Sequence, residues 1–232
     1  MIAILGAMQA EVDSLQREIK DLTLERAGGF DFARGTIHGR DVVVARCGVG
    51  KVNAAACTQA LLMAYAPEVV INTGVAGSLS PALDILDVAV ATDAVQHDYD
   101  TFGLGEPAGA LTINGELVTY LPCDAAWRER LLNAAHQLGL RAIPARVASG
   151  DQFITRREEK QRIIDTFGAS LCEMEGAAIA QVCYLHDTPC AILRVISDST
   201  DDAHHMEFAT FIGRAVENSF KILMQMMASL CP

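Results

Sequence analysis

The hydrophobic positions of this chain follow two alternating patterns along its whole length. Short apolar runs, such as residues 2–5, 69–72 and 191–196, have the length and the Val/Ile content of buried strands. Between them lie stretches whose apolar residues recur at helical spacing, as at residues 11–19. Strands that alternate with helices predict an α/β fold with a largely parallel central sheet.

The predicted elements follow one another without a break that would separate two domains. No linker rich in Pro, Ser or Gly, no low-complexity tract and no internal repeat is present, so we expect residues 1–232 to form a single domain. Residues 97–119 are polar and contain several glycines, which predicts mostly loop. The predicted strands are residues 2–5, 30–36, 41–45, 69–72, 88–92, 142–148 and 191–196, and the predicted helices are residues 11–19, 52–65, 125–138, 158–167, 177–184 and 208–230.

Composition and charge narrow the class of protein. Hydrophobic residues make up 51% of the chain and aromatic residues only 6%, so the core must consist mainly of Ala, Val, Leu and Ile. That mixture suits a parallel sheet covered by helices. The net charge is −11 and no basic cluster is present, which argues against binding of nucleic acid. The acidic surplus favours a neutral or zwitterionic substrate.

Cysteine usage and hydropathy indicate the compartment. The seven cysteines include no C-x-x-C pair, and most lie in apolar surroundings, as expected of free buried thiols in a reducing cytosol. The first eight residues lack the basic start of a signal peptide, and no apolar run is long enough to span a bilayer. We therefore predict a cytoplasmic protein that does not contact a membrane.

Several common motifs lack residues that their function requires. Gly50-Lys51 resembles the end of a P-loop, but Ala45 replaces its first glycine and Val52 its Ser/Thr. Gly48-x-Gly50 begins a dinucleotide fingerprint, but Asn53 stands at the third glycine. The histidines lack metal-ligand spacing, and no G-x-S-x-G elbow occurs. We predict neither a metal nor a cofactor, and no covalent nucleophile.

Acidic residues at predicted strand ends are the remaining candidates for chemistry. Glu11 starts a helix, Glu173 and Glu175 bracket Met174, and Asp198 follows a strongly apolar strand. In an open α/β sheet, sites form at the carboxyl ends of the strands. Each acid also has a structural alternative, because a carboxylate complements the helix dipole in a first turn and an aspartate serves as a helix cap or turn residue.

Six motifs, in order along the chain, carry a resemblance to a known family. The chain resembles the 5′-methylthioadenosine/S-adenosylhomocysteine nucleosidases, within the nucleoside phosphorylase superfamily, over essentially its whole length. The motifs are Gly6-Ala7-Met8-Gln9-Ala10-Glu11-Val12, Gly48-Val49-Gly50-Lys51-Val52, Asn72-Thr73-Gly74-Val75-Ala76-Gly77, Ser149-Gly150-Asp151-Gln152-Phe153, Glu173-Met174-Glu175-Gly176-Ala177 and Arg194-Val195-Ile196-Ser197-Asp198.

The resemblance implies a three-layer α/β/α fold with a mostly parallel, mixed sheet, as in purine nucleoside phosphorylases, and a homodimer. It implies hydrolysis of the N-glycosidic bond of an adenine thionucleoside. Glu11 matches the residue that activates water, and Asp198 matches the acid that protonates adenine N7. Glu175 matches the carboxylate that binds the ribose hydroxyls.

The resemblance also implies which residues line the substrate pocket. Phe153 matches the ring that stacks on adenine, and the backbone of Ile154 matches the group that reads the base edge, with Ser197 beside it. The residues matched to the ribose and the 5′-alkylthio group are Met8, Val49, Met174 and Phe208. Phe102 falls in a loop that the family uses near the neighbouring subunit's site.

One position departs from the family pattern. Val75 stands where many members have a serine whose hydroxyl helps to hold the catalytic aspartate. Orientation of Asp198 must then come from Ser197, from backbone or from water. Family members with a valine at this position and the sequence Asp151-Gln152-Phe153 include enzymes that also hydrolyse 6-amino-6-deoxyfutalosine in menaquinone synthesis, so the resemblance leaves a second adenine substrate open.

Two other functions remain as alternatives. A purine nucleoside phosphorylase needs a cationic phosphate pocket, and the first strand leads instead to Met8 and Glu11, with Arg46 the nearby cation. A non-catalytic nucleoside-binding protein would keep Phe153 and Glu175 but would not need Glu11 and Asp198.

Overall fold

In the computed structural model of the chain, residues 1–198 and 208–230 are described, with side chains for residues 1–198 and 211–230. The strands are β1 (Ile2–Gly6), β2 (Lys20–Ala27), β3 (Phe30–Ile37), β4 (Arg40–Arg46), β5 (Val69–Ser78), β6 (Val88–Gln96), β7 (Leu111–Ile113), β8 (Glu116–Val118), β9 (Leu121–Pro122), β10 (Ala142–Ser149), β11 (Leu171–Glu173) and β12 (Cys190–Asp198). The helices are α1 (Gln9–Glu18), α2 (Lys51–Tyr65), α3 (Ala125–Gln137), α4 (Arg157–Phe167), α5 (Gly176–Leu185) and α6 (Phe208–Ser229), with a 3-10 turn at Phe102–Leu104.

A mixed sheet forms the middle of the fold, with strand order β11-β10-β6-β12-β5-β1-β4-β3-β2 and β9 alongside β6. Strand β1 lies between β4 and β5 and runs parallel to both. Strand β12 is parallel to β5 but antiparallel to β6, and β2, β3 and β4 form an antiparallel edge. The parallel strands at the centre end on the same edge, where a site is expected.

Helices cover both faces of the sheet. On β1, Ala3 and Leu5 point into a core that contains residues of α2 and α5. Ile2 and Ile4 point to the opposite face, into a core built with α1, α3 and α6. Because successive side chains of a strand alternate between faces, one apolar run supplies both cores. The expected α/β/α layering is confirmed.

The sheet departs from the sequence prediction in three places. Strand β2 was not predicted, because its side chains are mostly exposed and polar at the edge of the sheet. Strand β5 continues past residue 72 to Ser78, and β11 pairs with both β10 and β5, so this half of the sheet closes on itself. The predicted loop at 97–119 contains the hairpin β7–β8, whose Asn114 and Gly115 have φ angles of 52° and 86°.

The structure also shows the cysteines and the apolar length of the helices. The six cysteines among the described residues are free and buried, and Cys231 lies outside the described residues. No helix within residues 1–198 and 208–230 is long and apolar enough to cross a membrane.

Candidate active site

A cavity of about 260 Å³ opens at the carboxyl ends of β1, β10, β11 and β12. It brings together most of the residues that the sequence analysis singled out. These are Met8, Glu11, Val49, Val75, Phe153, Ile154, Met174, Glu175, Ser197 and Asp198. Phe102 does not line this cavity and is 78% exposed. The side chain of Phe208 lies outside the described residues.

Glu11 is buried at the turn from β1 into α1. Its Oε2 accepts hydrogen bonds from the backbone N–H groups of Ala7 (2.8 Å) and Met8 (2.9 Å). Burial raises the pKa of Glu11, while the Met8 N–H and the Arg194 guanidinium act in the opposite direction. The Glu11 carboxyl group therefore both caps the start of α1 and lines the cavity.

A buried ion pair lies beside the cavity, between Arg194 on β12 and Glu173 at the end of β11. Arg194 also donates to the side-chain and main-chain oxygens of Asn72. Burial raises the pKa of Glu173, but Arg194 and the hydrogen bond from Ser149 outweigh it and hold the pKa below its usual value. From the sequence, Glu173 was one of the candidate acids at strand ends and Arg194 only part of a motif, and neither had an assigned role. The available signal was an arginine inside the apolar run 190–198, because a buried charge requires partners.

Glu175 occupies the turn from β11 into α5. The backbone N–H of Gly50 donates to its Oε1 at 2.9 Å. Burial, together with the neighbouring Glu173 carboxylate, raises the pKa of Glu175 to about 7. Strongly shifted carboxyl groups in a cleft are typical of functional sites.

Asp198 is the last residue of β12 and is 8% exposed. The Ser197 hydroxyl donates to Asp198 Oδ1 at 2.9 Å, and it supplies a hydrogen bond that Val75, without a hydroxyl, does not. A Cβ added at Gly77 on β5 would lie 2.8 Å from Asp198 Oδ2. The glycine therefore gives the carboxyl group its space.

Acidic and apolar side chains dominate the described wall of the cavity. Four carboxyl groups line it, from Glu11, Glu173, Glu175 and Asp198, and no Lys or Arg is among its described lining residues. Arg46 is exposed at the end of β4 and does not line the cavity. Among the described residues, no group of three His, Cys, Asp or Glu side chains is arranged to hold a metal ion.

Comparison with known proteins identifies the family. A family model for the phosphorylase superfamily matches residues 1–228. The chain belongs to the phosphorylase superfamily. This superfamily member is 35% identical to a 5′-methylthioadenosine/S-adenosylhomocysteine nucleosidase of Shewanella baltica over 233 residues, covering 100% of this chain and 98% of the relative.

Two further matches concern the activity and the fold. The chain is 34% identical over 231 residues to an aminodeoxyfutalosine nucleosidase of Helicobacter pylori, covering 99% of each chain. The crystal structure of the Neisseria meningitidis 5′-methylthioadenosine/S-adenosylhomocysteine nucleosidase in complex with methylthio-immucillin-A superposes with a TM-score of 0.92, at 33% identity and 99% coverage of both chains. These findings confirm the resemblance stated from the motifs.

Replacing Gly77 by Ala in this phosphorylase-superfamily protein should displace the Asp198 carboxyl group. The added methyl would lie 2.8 Å from Oδ2, closer than Cβ contacts occur, so one of the two must shift. If Asp198 takes part in the reaction, we expect kcat to fall by about tenfold or more, since a small misplacement of a reacting group has large effects on the rate. Gly213→Ala on α6 is the matched control, because nothing lies within 4 Å of a Cβ there. Equal steady-state kinetics for the two variants would contradict a role of Asp198 in the reaction.

Replacing Glu175 by Gln should stabilise the ligand-free protein at alkaline pH. The pKa of Glu175 is raised from 4.5 to about 7, so the folded state holds this proton to higher pH than the unfolded state does. Stability is therefore lost as pH rises from 4.5 to 7, and about 3 kcal/mol is the upper bound of that loss. Urea unfolding should show a much larger gain for Glu175→Gln at about pH 8 than at about pH 5. An equal gain at both values would mean that the buried charge is not its cause.

Proposed function

We propose that this protein hydrolyses the N-glycosidic bond of 5′-methylthioadenosine and S-adenosylhomocysteine, releasing adenine and the thioribose product. The observation that carries the proposal is the meeting of Glu11, Glu175 and Asp198 in one cavity, each from a different element of the fold. The relatives named as nucleosidases for these two compounds, at 33% to 35% identity over nearly the full chain, support it.

Asp198 is proposed as the acid of the reaction. Adenine leaves poorly as an anion, and a proton delivered to N7 makes it a neutral leaving group. The burial of this carboxyl group and its contact with Ser197 support the role, because an acid must be held in one orientation to donate to a ring nitrogen.

Glu11 is proposed as the base that takes a proton from the attacking water. As the glycosidic bond stretches, positive charge develops on the ribose, and a second carboxyl group activates water as in inverting glycosidases. Two backbone N–H groups hold one oxygen of Glu11, which supports a fixed orientation for a general base. Glu175, braced by Gly50 N–H, is proposed to bind the ribose hydroxyls.

The remaining cavity residues are proposed to select the substrate. Phe153 stacks on adenine, the backbone of Ile154 reads the base edge beside Ser197, and Met174 packs on the sugar. Aromatic and apolar walls with few polar groups suit a nucleoside with an alkylthio tail. The other residues assigned to the ribose and alkylthio pocket are Met8, Val49, Val75 and Phe208.

The proposal includes a homodimer in which Phe102 lies near the site of the partner. The exposure of Phe102 outside its own cavity supports this, as does the exposed Leu104 two residues later, because apolar side chains at a subunit contact are exposed in the isolated chain. We further propose a cytoplasmic location, supported by the free buried thiols, and chemistry that uses no cofactor or metal.

Hydrolysis is favoured over phosphorolysis by the charge of the cavity. Phosphate needs cationic donors, and the described lining offers carboxyl groups instead. The test is adenine release from 5′-methylthioadenosine in phosphate-free buffer. Release that is unchanged by added phosphate supports the hydrolase, release that requires phosphate identifies a phosphorylase, and no release with tight binding identifies a non-catalytic binder.

Hydrolysis of 6-amino-6-deoxyfutalosine is a second candidate activity. The aminodeoxyfutalosine nucleosidase of Helicobacter pylori, 34% identical over 231 residues, supports it. A side-by-side measurement of kcat/KM for the three adenine nucleosides decides whether the protein uses this substrate. A value for 6-amino-6-deoxyfutalosine within about tenfold of the best substrate supports dual use.

A further inference from the structure

Two loops that border the cavity come from distant parts of the chain. The loop between β4 and α2 carries Val49 and Gly50 and leads into Lys51, the first residue of α2, and the loop after β10 carries Asp151 and Phe153. Val49 and Phe153 both line the cavity. Each loop therefore supplies a wall of the site, and their relative position fixes the shape of its opening.

Three side chains join these loops in a closed ring of hydrogen bonds. The Lys51 Nζ lies 2.6 Å from Asp98 Oδ1, and the other oxygen of Asp98 accepts the Asp151 backbone N–H at 2.8 Å. Asp151 Oδ1 in turn accepts the Lys51 backbone N–H at 2.7 Å. Lys51 also donates to Gln96 Oε1 at 3.0 Å. We call Lys51, Asp98 and Asp151 the loop clamp.

The charged pair of the loop clamp is partly shielded from water. The side chains of Lys51 and Asp98 are 17% and 19% exposed. Burial raises the pKa of Asp98, but the hydrogen bonds from Lys51 and from the Asp151 N–H outweigh it and lower the pKa below its usual value. An ion pair in this setting that also bonds backbone is stronger than an exposed surface pair.

Gly50 connects the loop clamp to the reaction site. It adjoins Lys51, and its N–H donates to Glu175 Oε1 at 2.9 Å. Its φ and ψ are 93° and 161°, a conformation that glycine adopts and other residues rarely do. The loop clamp bonds the next residue, Lys51, and a Cβ at Gly50 would lie 3.0 Å from Asp151 Oδ1, so the clamp borders Gly50 directly.

We propose that Lys51, Asp98 and Asp151 are positioning residues that hold the two loops together, so that Gly50 N–H stays on Glu175 and Phe153 stays at the cavity wall. The inference rests on the proposed function, because it assigns Glu175 to the ribose and Phe153 to the base. These three residues need not touch the substrate. Their effect is therefore expected in substrate binding more than in bond cleavage.

The loop clamp should also set the pH dependence of binding. The charged and titratable groups facing Glu175 are Glu11 on α1, Glu173 on β11, Arg194 on β12 and the thiol of Cys47 after β4. Gly50 N–H favours the ionised form of Glu175, so losing that bond raises the pKa of Glu175. The acid limb of kcat/KM then moves to higher pH.

Lys51→Met and Asp151→Ala test the loop clamp in the full-length protein. We expect each to raise KM for 5′-methylthioadenosine by about tenfold, with kcat within about threefold, and to shift the acid limb upward. Lys51→Arg and Asp151→Asn keep the charge or the acceptor oxygen and should recover most of the loss. Arg141→Met, which removes an exposed cation that pairs with Asp87 away from the cavity, is the matched control.

Amide hydrogen exchange tests the loop clamp independently of the proposed function. The Gly50 and Asp151 amides should exchange faster in Lys51→Met than in the wild type, a comparison that needs no activity. Slow exchange in the variant overturns the inference. So does a loss of kcat and Tm together with the rise in KM, without a pH shift and without rescue by the conservative variants. A wild-type protein that releases no adenine overturns the proposed function alone. If Lys51→Met does not fold, Asp151→Ala at the exposed position 151 decides by the same readouts.

Discussion

Replacing Glu11 by Gln is expected to lower kcat for adenine release by about 10²- to 10⁴-fold, the usual contribution of a positioned general base. The amide keeps one carbonyl oxygen that can accept the Ala7 and Met8 N–H groups, so the start of α1 should remain folded. What the amide loses is the ability to take a proton from water. Initial rates at saturating 5′-methylthioadenosine, with Tm measured in parallel, check this.

The control for Glu11→Gln is Glu18→Gln on the same helix. Glu18 is exposed near the end of α1 and lies outside the described cavity wall, so its replacement should leave kcat unchanged. Near wild-type adenine release by Glu11→Gln would contradict the assignment of the base. A large fall in Tm would instead point to helix capping as the main role of Glu11.

Asp198→Asn should lower kcat by a similar factor of about 10²- to 10⁴-fold, because the asparagine cannot protonate N7. The loss should depend on the leaving group. A 5-methylthioriboside of 4-nitrophenol releases a stable anion without protonation, so Asp198→Asn should cleave it nearly as fast as the wild type. Glu11→Gln should remain slow on both compounds, since both need activated water.

Measuring both variants on both compounds distinguishes the acid, Asp198, from the base, Glu11. Asp165→Asn, an exposed change on α4, is the control for the loss of one carboxylate. An equal loss for Asp198→Asn on both leaving groups would contradict its role as the acid and would indicate a general disturbance of the cavity.

The parts of the site that could be predicted from sequence are those next to strand ends. Asp198 comes two residues after the apolar run 191–196, and Glu11 lies in the first helical turn after the run 2–5, while the carboxyl ends of neighbouring strands meet at one edge of the sheet. The apolar runs also predict the layering, because alternating side chains such as Ile4 and Leu5 pack into opposite cores.

The parts that could not be predicted depend on pairings between distant residues. Arg194 meets Glu173 only because β5 pairs with β12 and also with β11, a closure that no local pattern signals. The loop clamp joins Lys51 to Asp98 and Asp151, residues 47 and 100 positions away. Strand β2 could not be predicted, because an exposed edge strand does not need an apolar face.

The position of the reacting groups around a bound substrate is the most direct test of the account. A crystal structure with an uncleaved 5′-methylthioadenosine analogue should place an Asp198 carboxyl oxygen about 3 Å from N7. It should place a water, held by Glu11, on the face of the ribose opposite the base. A complex in which Glu11 lies away from that water, or in which N7 faces another group, would contradict the mechanism.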